Sequence, residues 1–223
     1  MNLKELIDEN IPILKPSDKP FEALSIMDIN QVKILPIVNN ENEYLGLISE
    51  EDLNEISTES KSIKNYIKYN INQYTYLTEN QHIFDVLSKM SSSKLPLLAV
   101  INNTTKKYLG VITETTLINY MANFTSSNMV GGIIEIITDI KNYSPALITT
   151  IVENNELKVM GLFTNIKGNE IEVTIKLNGP DTSSVVSGLE RYGYRIKNII
   201  NGDHKYSDLL EERYNSLINY LNV

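Results

Sequence analysis

Two short segments place a hydroxyl residue three positions before a residue that could bind the sugar of a nucleotide. Ser49 precedes Asp52 in the first segment, and Thr113 precedes Thr116 in the second. A Ser or Thr that ends a strand can cap the next helix, whose free amides and positive dipole end attract phosphate. An Asp in the first helical turn can accept hydrogen bonds from both hydroxyls of a ribose. Ser49 and Asp52 fit this chemistry in full, although an ordinary Ser-x-x-Asp capping box has the same pattern.

Both segments belong to an internal repeat. The sequence YLGLISE at 44–50 returns 64 positions later as YLGVITE at 108–114, and residues further upstream recur at a spacing of 63. One extra residue in the loop 103–107 accounts for the difference, and surface loops tolerate such insertions whereas packed elements do not. We therefore predict a duplicated folding unit whose copies pack face to face, with their shared seam as the first place to look for function.

Each copy has the pattern of a βαββα unit. The predicted elements are an extended piece, a helix, two strands and a second helix that opens at the acidic or hydroxyl-rich turn. The first four have the bounds 11–15, 20–30, 34–38 and 44–49 in the first copy and 74–78, 83–91, 97–101 and 108–113 in the second. Leu3, Leu6 and Ile7 have helical spacing and predict a short lead-in helix that ends before Pro12. Residues 61–70 are predicted to connect the copies.

A different pattern begins after the polar segment 125–128, which marks a domain boundary. The predicted order is βαββαβ, with strands at 133–137, 158–166, 170–177 and 194–199 and helices at 144–153 and 181–191. Alternation along EIEVTIKL at 170–177 predicts a sheet with one covered face and one face that is wet or paired with something else. The apolar positions of 205–221 predict a last amphipathic helix that docks on its own chain or on a dimer mate.

The predicted fold class is a mixture of α+β and α/β, in which tandem βαββα repeats pack sheet to sheet and a βαββαβ domain of ferredoxin-like order follows. The predicted domain organisation is an N-terminal helix, the first repeat with its connecting helix, the second repeat, the third domain and the C-terminal helix, at residues 1–10, 11–70, 71–124, 130–201 and 203–223.

Composition excludes several classes of function. The chain has 223 residues, no Cys and a formal net charge of −8, which excludes disulfides and thiolate chemistry and disfavours nucleic-acid binding. Its two His residues, His82 and His204, are isolated and predict no metal site. No apolar run approaches the ~20 residues that cross a bilayer, and charges interrupt the N-terminus where a signal peptide is apolar, so we expect a cytoplasmic protein without membrane partners. No nucleophile–base pair or phosphate loop predicts an enzyme.

The sequence GLISEEDL at 46–53, preceded by LPIVN at 35–39, resembles the signature of CBS domains, Gly-hydrophobic-Ile-Ser/Thr-x-x-Asp-Leu. Together the copies, roughly residues 11 to 123, resemble a CBS pair, or Bateman module. This resemblance implies a regulatory, non-catalytic protein that binds AMP, ATP, NAD or S-adenosylmethionine in a cleft between the two sheets, without a metal or a catalytic cofactor. The implied ligand-binding residues are Leu14, Ile34, Leu35, Pro36, Ile48, Ser49, Asp52 and Thr113.

The second copy departs from the family pattern. Thr116 stands where the ribose-binding Asp is expected, and Ala99 replaces the Pro of the strand. A hydroxyl cannot clamp two ribose hydroxyls as a charged acceptor does, so we expect one nucleoside per chain, with its ribose on Asp52. Lys33 and Lys94 are candidate phosphate contacts, with solvated surface lysines as the alternative.

Residues 130–201 resemble an ACT domain in their βαββαβ order. In that family the loop after the first strand often carries Asp-x-Pro-Gly-hydrophobic and binds an amino acid at a dimer interface. The matching loop residues are Asp139, Tyr143, Ser144, Pro145 and Ala146. Because this loop is longer and Ala146 replaces the Gly, the resemblance favours dimerisation through side-by-side sheets.

The CBS-pair-then-ACT order is similar to that of acetoin-utilisation accessory proteins. The expected partners are a small nucleotide, a second copy of the chain and a regulated protein. The alternative is a structural or adaptor dimer with empty clefts that acts through protein–protein contacts alone.

Overall fold

The computed structural model describes residues 3–55, 62–64, 67 and 75–201. The chain divides into two compact units, Met1–Tyr120 and Met121–Val223. The helix predicted at 203–223 and most of the connection predicted at 61–70 lie outside the described residues.

The first repeat forms a two-stranded antiparallel sheet with one helix before it and one after it. Within the extended piece predicted at 11–15, Leu14 makes a single parallel bridge to Ile37. The elements are α1 (Pro20–Asn30), β1 (Ile34–Val38), β2 (Tyr44–Ser49) and α2 (Glu50–Glu55). The core of this repeat is a cluster of buried side chains from all of these elements: Leu14, Ala23, Met27, Leu35, Ile37, Ile48, Leu53 and Ile63.

The second repeat has the same design with a longer first strand. Its elements are β3 (Tyr76–Thr78), α3 (Ile83–Ser93), β4 (Leu97–Ile101), β5 (Tyr108–Thr113) and α4 (Glu114–Phe124). Strand β3 pairs with β4 in parallel, as Leu14 does with Ile37. The pairing register shifts after Ile37 in one copy and after Val100 in the other, and these positions are equivalent in the repeat. The duplication therefore extends to the irregularities of the sheets.

The N-terminal segment packs on the second repeat, although it precedes the first. The short helix observed in this segment is a 3-10 helix, Leu3–Leu6. Asp8 N donates to Val111 O at 2.7 Å, and Val111 N donates to Asp8 O at 3.0 Å, which extends the outer edge of β5. Gly110 has φ +142°, and a Cβ added there would meet Ile7 Cγ2 at 2.4 Å. Only glycine suits this conformation and this close approach of the backbone.

The second unit has the expected βαββαβ order. Its elements are β6 (Ile133–Asp139), a 3-10 turn (Ile140–Asn142), α5 (Pro145–Glu153), β7 (Val159–Lys167), β8 (Glu170–Leu177), α6 (Ser183–Arg191) and β9 (Arg195–Ile200). The antiparallel sheet has the strand order β7-β8-β6-β9, which is ferredoxin-like. Alternate residues of β6 and β8 face the two helices and form the core of this unit. The predicted mixed fold class is confirmed.

Candidate functional site

Ser49 and Asp52 form a reciprocal capping box where β2 meets α2. Asp52 N donates to Ser49 Oγ at 3.1 Å, and Ser49 N donates to Asp52 Oδ2 at 2.8 Å. Both residues are half-buried. The two bonds fix the orientation of the Asp52 carboxylate at the end of the strand. The capping alternative raised from the sequence is therefore present, and it also positions the carboxylate that a ribose would require.

The equivalent position in the second repeat carries no charge. Thr116 N donates to Thr113 Oγ1 at 3.1 Å, and the two hydroxyl oxygens lie 3.0 Å apart. Thr113 thus caps α4 as Ser49 caps α2. A neutral hydroxyl that is already engaged with Thr113 stands where the first repeat has a carboxylate.

Three of the predicted binding residues are core residues. Leu14, Leu35 and Ile48 are fully buried in the cluster of the first repeat, so only their backbone is placed to meet a ligand. Pro36 is also buried, and its carbonyl accepts from Leu14 N at 2.8 Å. Ile34 is half-buried and packs against an apolar cluster between the two repeats. Alternation along β1 explains this division, since neighbouring residues of a strand face opposite sides.

The two candidate phosphate contacts are both exposed and do not occupy equivalent positions. Lys33 comes directly before β1, and its carbonyl accepts from Glu50 N at 2.9 Å. It lines an open depression of about 700 Å³ beside α1 and α2 that the sequence did not predict. Lys94 instead ends α3 in a left-handed conformation, with φ +55°. Its equivalent in the first repeat, 63 positions earlier, is Gln31, which ends α1 in the same left-handed conformation.

Among the described residues, the tyrosines Tyr44, Tyr76 and Tyr108 lie at the seam between the repeats. Tyr44 and Tyr108 stack with ring centroids 6.5 Å apart and an interplanar angle of 17°, and Tyr76 meets Tyr44 edge-on at 6.2 Å. Burial raises the pKa of both the Tyr44 and the Tyr108 hydroxyl, with smaller contributions from Tyr108 and from Asp8 respectively. Tyr44 Oη donates to Thr75 O at 3.2 Å. The buried Tyr108 Oη has no hydrogen-bond partner among the described residues.

Backbone contacts and apolar side chains continue this seam. Tyr108 N donates to Asn42 O at 2.8 Å, and Asn42 Nδ2 donates to Tyr108 O at 3.1 Å. Leu47, Leu97 and Val111 form a cluster beside the tyrosines. The repeat predicted a seam between the copies but not its tyrosines, although Tyr44 and Tyr108 are equivalent residues of the repeat. Two related copies that pack face to face bring equivalent residues together near their axis.

The predicted loop of the second unit frames a depression of about 530 Å³ lined by Asp139, Ile140, Lys141, Asn142 and Asn169. Asp139 and Ala146 are exposed. Ser144 caps α5 by accepting from Leu147 N at 3.3 Å, and Pro145 occupies the first turn. Tyr143 is half-buried, and burial, with a smaller contribution from Tyr194, raises the pKa of its hydroxyl. Four of the five predicted loop residues thus form the entry into α5, away from the depression's lining.

Within residues 3–55, 62–64, 67 and 75–201, no group of three or more His, Cys, Asp or Glu side chains could hold a metal ion. The helices in those same stretches are all too short or too polar to span a bilayer.

Comparison with known proteins relates the chain to larger and smaller molecules. It is 22% identical over 109 residues to the inosine-5'-monophosphate dehydrogenase of Methanocaldococcus jannaschii. The aligned residues cover 49% of this chain and 21% of that enzyme. The chain thus spans about a fifth of the length of that relative.

Solved structures similar to this chain include a CBS domain pair/ACT domain protein from Thermotoga maritima, with 18% identity, a TM-score of 0.49 and coverage of 55% of this chain and 98% of that one. Another is CBSX2, a CBS-pair protein of Arabidopsis thaliana, in complex with AMP, with 18% identity, a TM-score of 0.47 and coverage of 55% and 96%.

The family model described as the CBS domain matches this chain twice, at residues 3–59 and 68–123. These matches contain both repeats, with the Ser49–Asp52 pair in the first and Thr113–Thr116 in the second. Together they cover just over half of the chain. The chain therefore belongs to the CBS domain family.

Proposed function

We propose that this chain is a non-catalytic regulatory protein that senses an adenosyl-type small molecule, of the AMP, ATP, NAD or S-adenosylmethionine class, beside Ser49 and Asp52. The observation that carries the proposal is the reciprocal hydrogen bonding of these two residues at the end of β2, in a chain of the CBS domain family.

The chemistry of the carboxylate supports a ribose at this place. Ser49 N holds Asp52 Oδ2 at 2.8 Å, which fixes the carboxylate before a ligand arrives. An ionised carboxylate has about four acceptor positions, so it can accept a sugar hydroxyl in addition to a backbone amide. Hydrogen bonds to a charged acceptor are roughly twice as strong as neutral ones.

The second repeat supports a stoichiometry of one ligand per chain. Thr116 offers a hydroxyl that already lies 3.0 Å from the Thr113 hydroxyl. A ribose there would have to replace this contact and would gain only neutral hydrogen bonds. The two clefts are therefore chemically unequal even though the repeats share their fold.

Regulation requires that the ligand bind one arrangement of the protein more tightly than another. A difference of ~1.4 kcal/mol in binding free energy changes the ratio of two states tenfold. We propose that the second unit transmits or stabilises this change within a homodimer.

Strand β7 supports a second copy as partner, and with it the alternative role of an adaptor dimer. It is a nine-residue edge strand without Pro, and it carries the exposed side chains Phe163 and Ile166. Unprotected edges of this kind tend to pair with another chain. The opposite edge strand, β9, carries the charged side chains of Arg195 and Lys197, which protect an edge.

The ligand proposal is tested by thermal unfolding with AMP, ATP, NAD, S-adenosylmethionine and cyclic dinucleotides. A ligand at a hundred times its Kd should stabilise the chain by about 2.7 kcal/mol. Asp52→Ala should abolish this gain. Asp85→Ala is the matched control, because Asp85 accepts from His82 N at 2.9 Å in the capping box of α3, and it should keep the gain.

Two results would decide against nucleotide sensing at this place. Asp52→Ala with an unchanged ligand response would remove the site, and no response to any compound at millimolar concentration would favour the adaptor role. Dimerisation is measured separately by light scattering after chromatography. Phe163→Lys with Ile166→Lys should yield monomers if β7 forms the interface.

A further inference from the structure

Helix α2 begins with three consecutive carboxylates, of which the capping box uses one. Its first turn contains Glu50, Glu51 and Asp52. Asp52 accepts from Ser49 N at 2.8 Å. The side chains of Glu50 and Glu51 are exposed, and neither has a hydrogen bond or an ion pair among the described residues. The place proposed for a ribose is therefore adjacent to two acidic groups without a counterion in the described part of the chain.

The backbone amides at the start of α2 are engaged within the protein. Glu50 N donates to Lys33 O at 2.9 Å, and Asp52 N donates to Ser49 Oγ at 3.1 Å. A phosphate at the start of a helix binds to amides that have no other partner and to the positive end of the helix dipole. In this turn two of the first three amides have partners, and the carboxylates already offset the dipole. The start of α2 is therefore unfavourable for a phosphate.

One lysine accompanies these carboxylates. Lys33 lines the open depression beside α1 and α2, and the same lining contains Asp28 and Glu50. The second lysine considered for a phosphate, Lys94, belongs to the other repeat, where it ends α3. Among the described residues of the lining and of the first turn of α2, one basic side chain stands against four acidic ones. The local charge beside the capping box is thus negative.

The second repeat shows that the fold does not require this charge. Its equivalent turn starts with Glu114, as the first starts with Glu50, but it continues with Thr115 in place of Glu51. Thr115 is exposed, as Glu51 is. Glu114 N donates to Pro96 O at 2.9 Å, so the amide that begins the helix is engaged in both repeats. The same turn therefore forms with fewer carboxylates, and the extra charge is a property of the repeat that carries the proposed site.

We propose that the site at Ser49 and Asp52 selects an adenosine derivative whose 5' group carries no net negative charge, such as a free nucleoside or a sulfonium derivative, over AMP, ATP and NAD. This inference rests on the proposed function, because it takes the ribose to bind at Asp52.

The position of the 5' group explains the selectivity. It is attached to the same sugar as the two hydroxyls, so it stays within the ~8 Å over which charges interact at physiological ionic strength. A phosphate there is repelled by the carboxylates of Glu50 and Glu51. A neutral 5' group avoids this repulsion, and a cationic one is attracted.

Four ligands that share adenosine and differ in 5' charge test this selectivity: adenosine, AMP, ATP and S-adenosylmethionine. Calorimetric titration should give adenosine and S-adenosylmethionine a Kd at least about tenfold lower than that of AMP, and ATP should bind more weakly than AMP. The preference should shrink as the salt concentration rises from about 0.1 M to about 1 M, because exposed charges are screened.

A variant with Glu50→Gln and Glu51→Thr tests whether the carboxylates cause the preference. Threonine is the residue that the second repeat has at the position of Glu51, so the helix should be retained. This variant should reduce the preference for adenosine over AMP to about threefold or less. Glu114→Gln is the matched control, because it removes the equivalent charge from the other repeat, and it should keep the full preference.

The outcomes separate this inference from the proposed function. A Kd for AMP or ATP at or below that of adenosine, with binding lost in Asp52→Ala, would overturn the inference and leave the proposed function intact. The same preference in the double variant and in the unaltered chain would also overturn it, since the carboxylates would not be the cause. Failure of all four ligands to bind would remove the proposed function and this inference with it.

Discussion

Tyr44 and Tyr108, equivalent residues of the two repeats, stack on each other with ring centroids 6.5 Å apart. Their hydroxyls differ. Tyr44 Oη donates to Thr75 O at 3.2 Å, whereas the buried Tyr108 Oη has no partner among the described residues. The seam between the repeats is thus symmetric in its rings and asymmetric in its hydrogen bonds.

This asymmetry predicts opposite effects of the same substitution. Tyr44→Phe should lower the free energy of unfolding by about 1 kcal/mol, because it leaves Thr75 O without its donor. Tyr108→Phe should be neutral or stabilising, since it removes a buried hydroxyl that makes no hydrogen bond. Urea denaturation of the two variants gives the comparison. Equal losses would mean that Tyr108 Oη has a partner, such as a bound water.

The same tyrosines predict a loss of stability at alkaline pH. Their pKa values are raised in the folded protein above the ordinary phenol value of 10.0. Their contribution is therefore complete below about pH 10 and is lost as the pH rises above it, because the unfolded chain ionises first. Each group adds a slope of up to about 1.4 kcal/mol per pH unit.

The variant with both Tyr44→Phe and Tyr108→Phe isolates this effect. Its free energy of unfolding, measured by urea titration between pH 9 and pH 11, should fall less steeply than that of the unaltered chain. Tyr192→Phe is the control, because this side chain is 61% exposed. Parallel curves for the double variant and the unaltered chain would show that the seam tyrosines ionise freely in the folded state.

Much of this fold was predictable because the repeat duplicates local signals. The Ser49–Asp52 box depends on four consecutive residues, and the strands follow from apolar runs that recur at fixed spacing. Burial was less predictable. Leu35 and Ile34 are adjacent apolar residues, yet one lies in the core of its repeat and the other at the seam. Only the packing of the sheets decides which face is which.

The place of the N-terminal segment could not be predicted from local pattern. Leu3, Leu6 and Ile7 fit a helix, but the segment ends in a bridge from Asp8 to Val111, about a hundred residues away. Long-range pairing of this kind overrides weak helix propensity, and isolated helices of this length are marginal in water. Gly110 gave no signal of this packing, since the first repeat has the equivalent Gly46, which also has a positive φ.

Gly110→Ala should therefore detach the N-terminal segment. The new methyl group would lie 2.4 Å from Ile7 Cγ2 and 2.8 Å from Asp8 O. The expected loss in the free energy of unfolding is about 2 kcal/mol or more, from this collision and from the strained φ of +142°. Chemical denaturation of the variant measures it.

A chain without residues 1–9 separates the two causes of that loss. In this shortened chain Gly110→Ala should cost only the backbone strain, of about 1 kcal/mol. The same loss in both backgrounds would mean that the segment does not contact Gly110 in solution.

The chemical difference between the two repeats can be tested by removing it. Thr116→Asp would give the second repeat a hydroxyl–carboxylate pair like that of the first, because Thr113 already accepts from the amide of position 116 at 3.1 Å. A carboxylate in the first turn should stabilise α4 by about 0.5–1 kcal/mol. Thr116→Asn, which caps without charge, serves as the control.

If the carboxylate is what selects the ribose, the number of nucleotides bound per chain, measured by calorimetry, should rise from one to two with Thr116→Asp and stay at one with Thr116→Asn. Higher stability without a second ligand would show that the carboxylate only caps the helix. The role of Asp52 in the first repeat would then also reduce to capping, since both sites would have a hydroxyl residue followed three positions later by a carboxylate in the first turn of a helix.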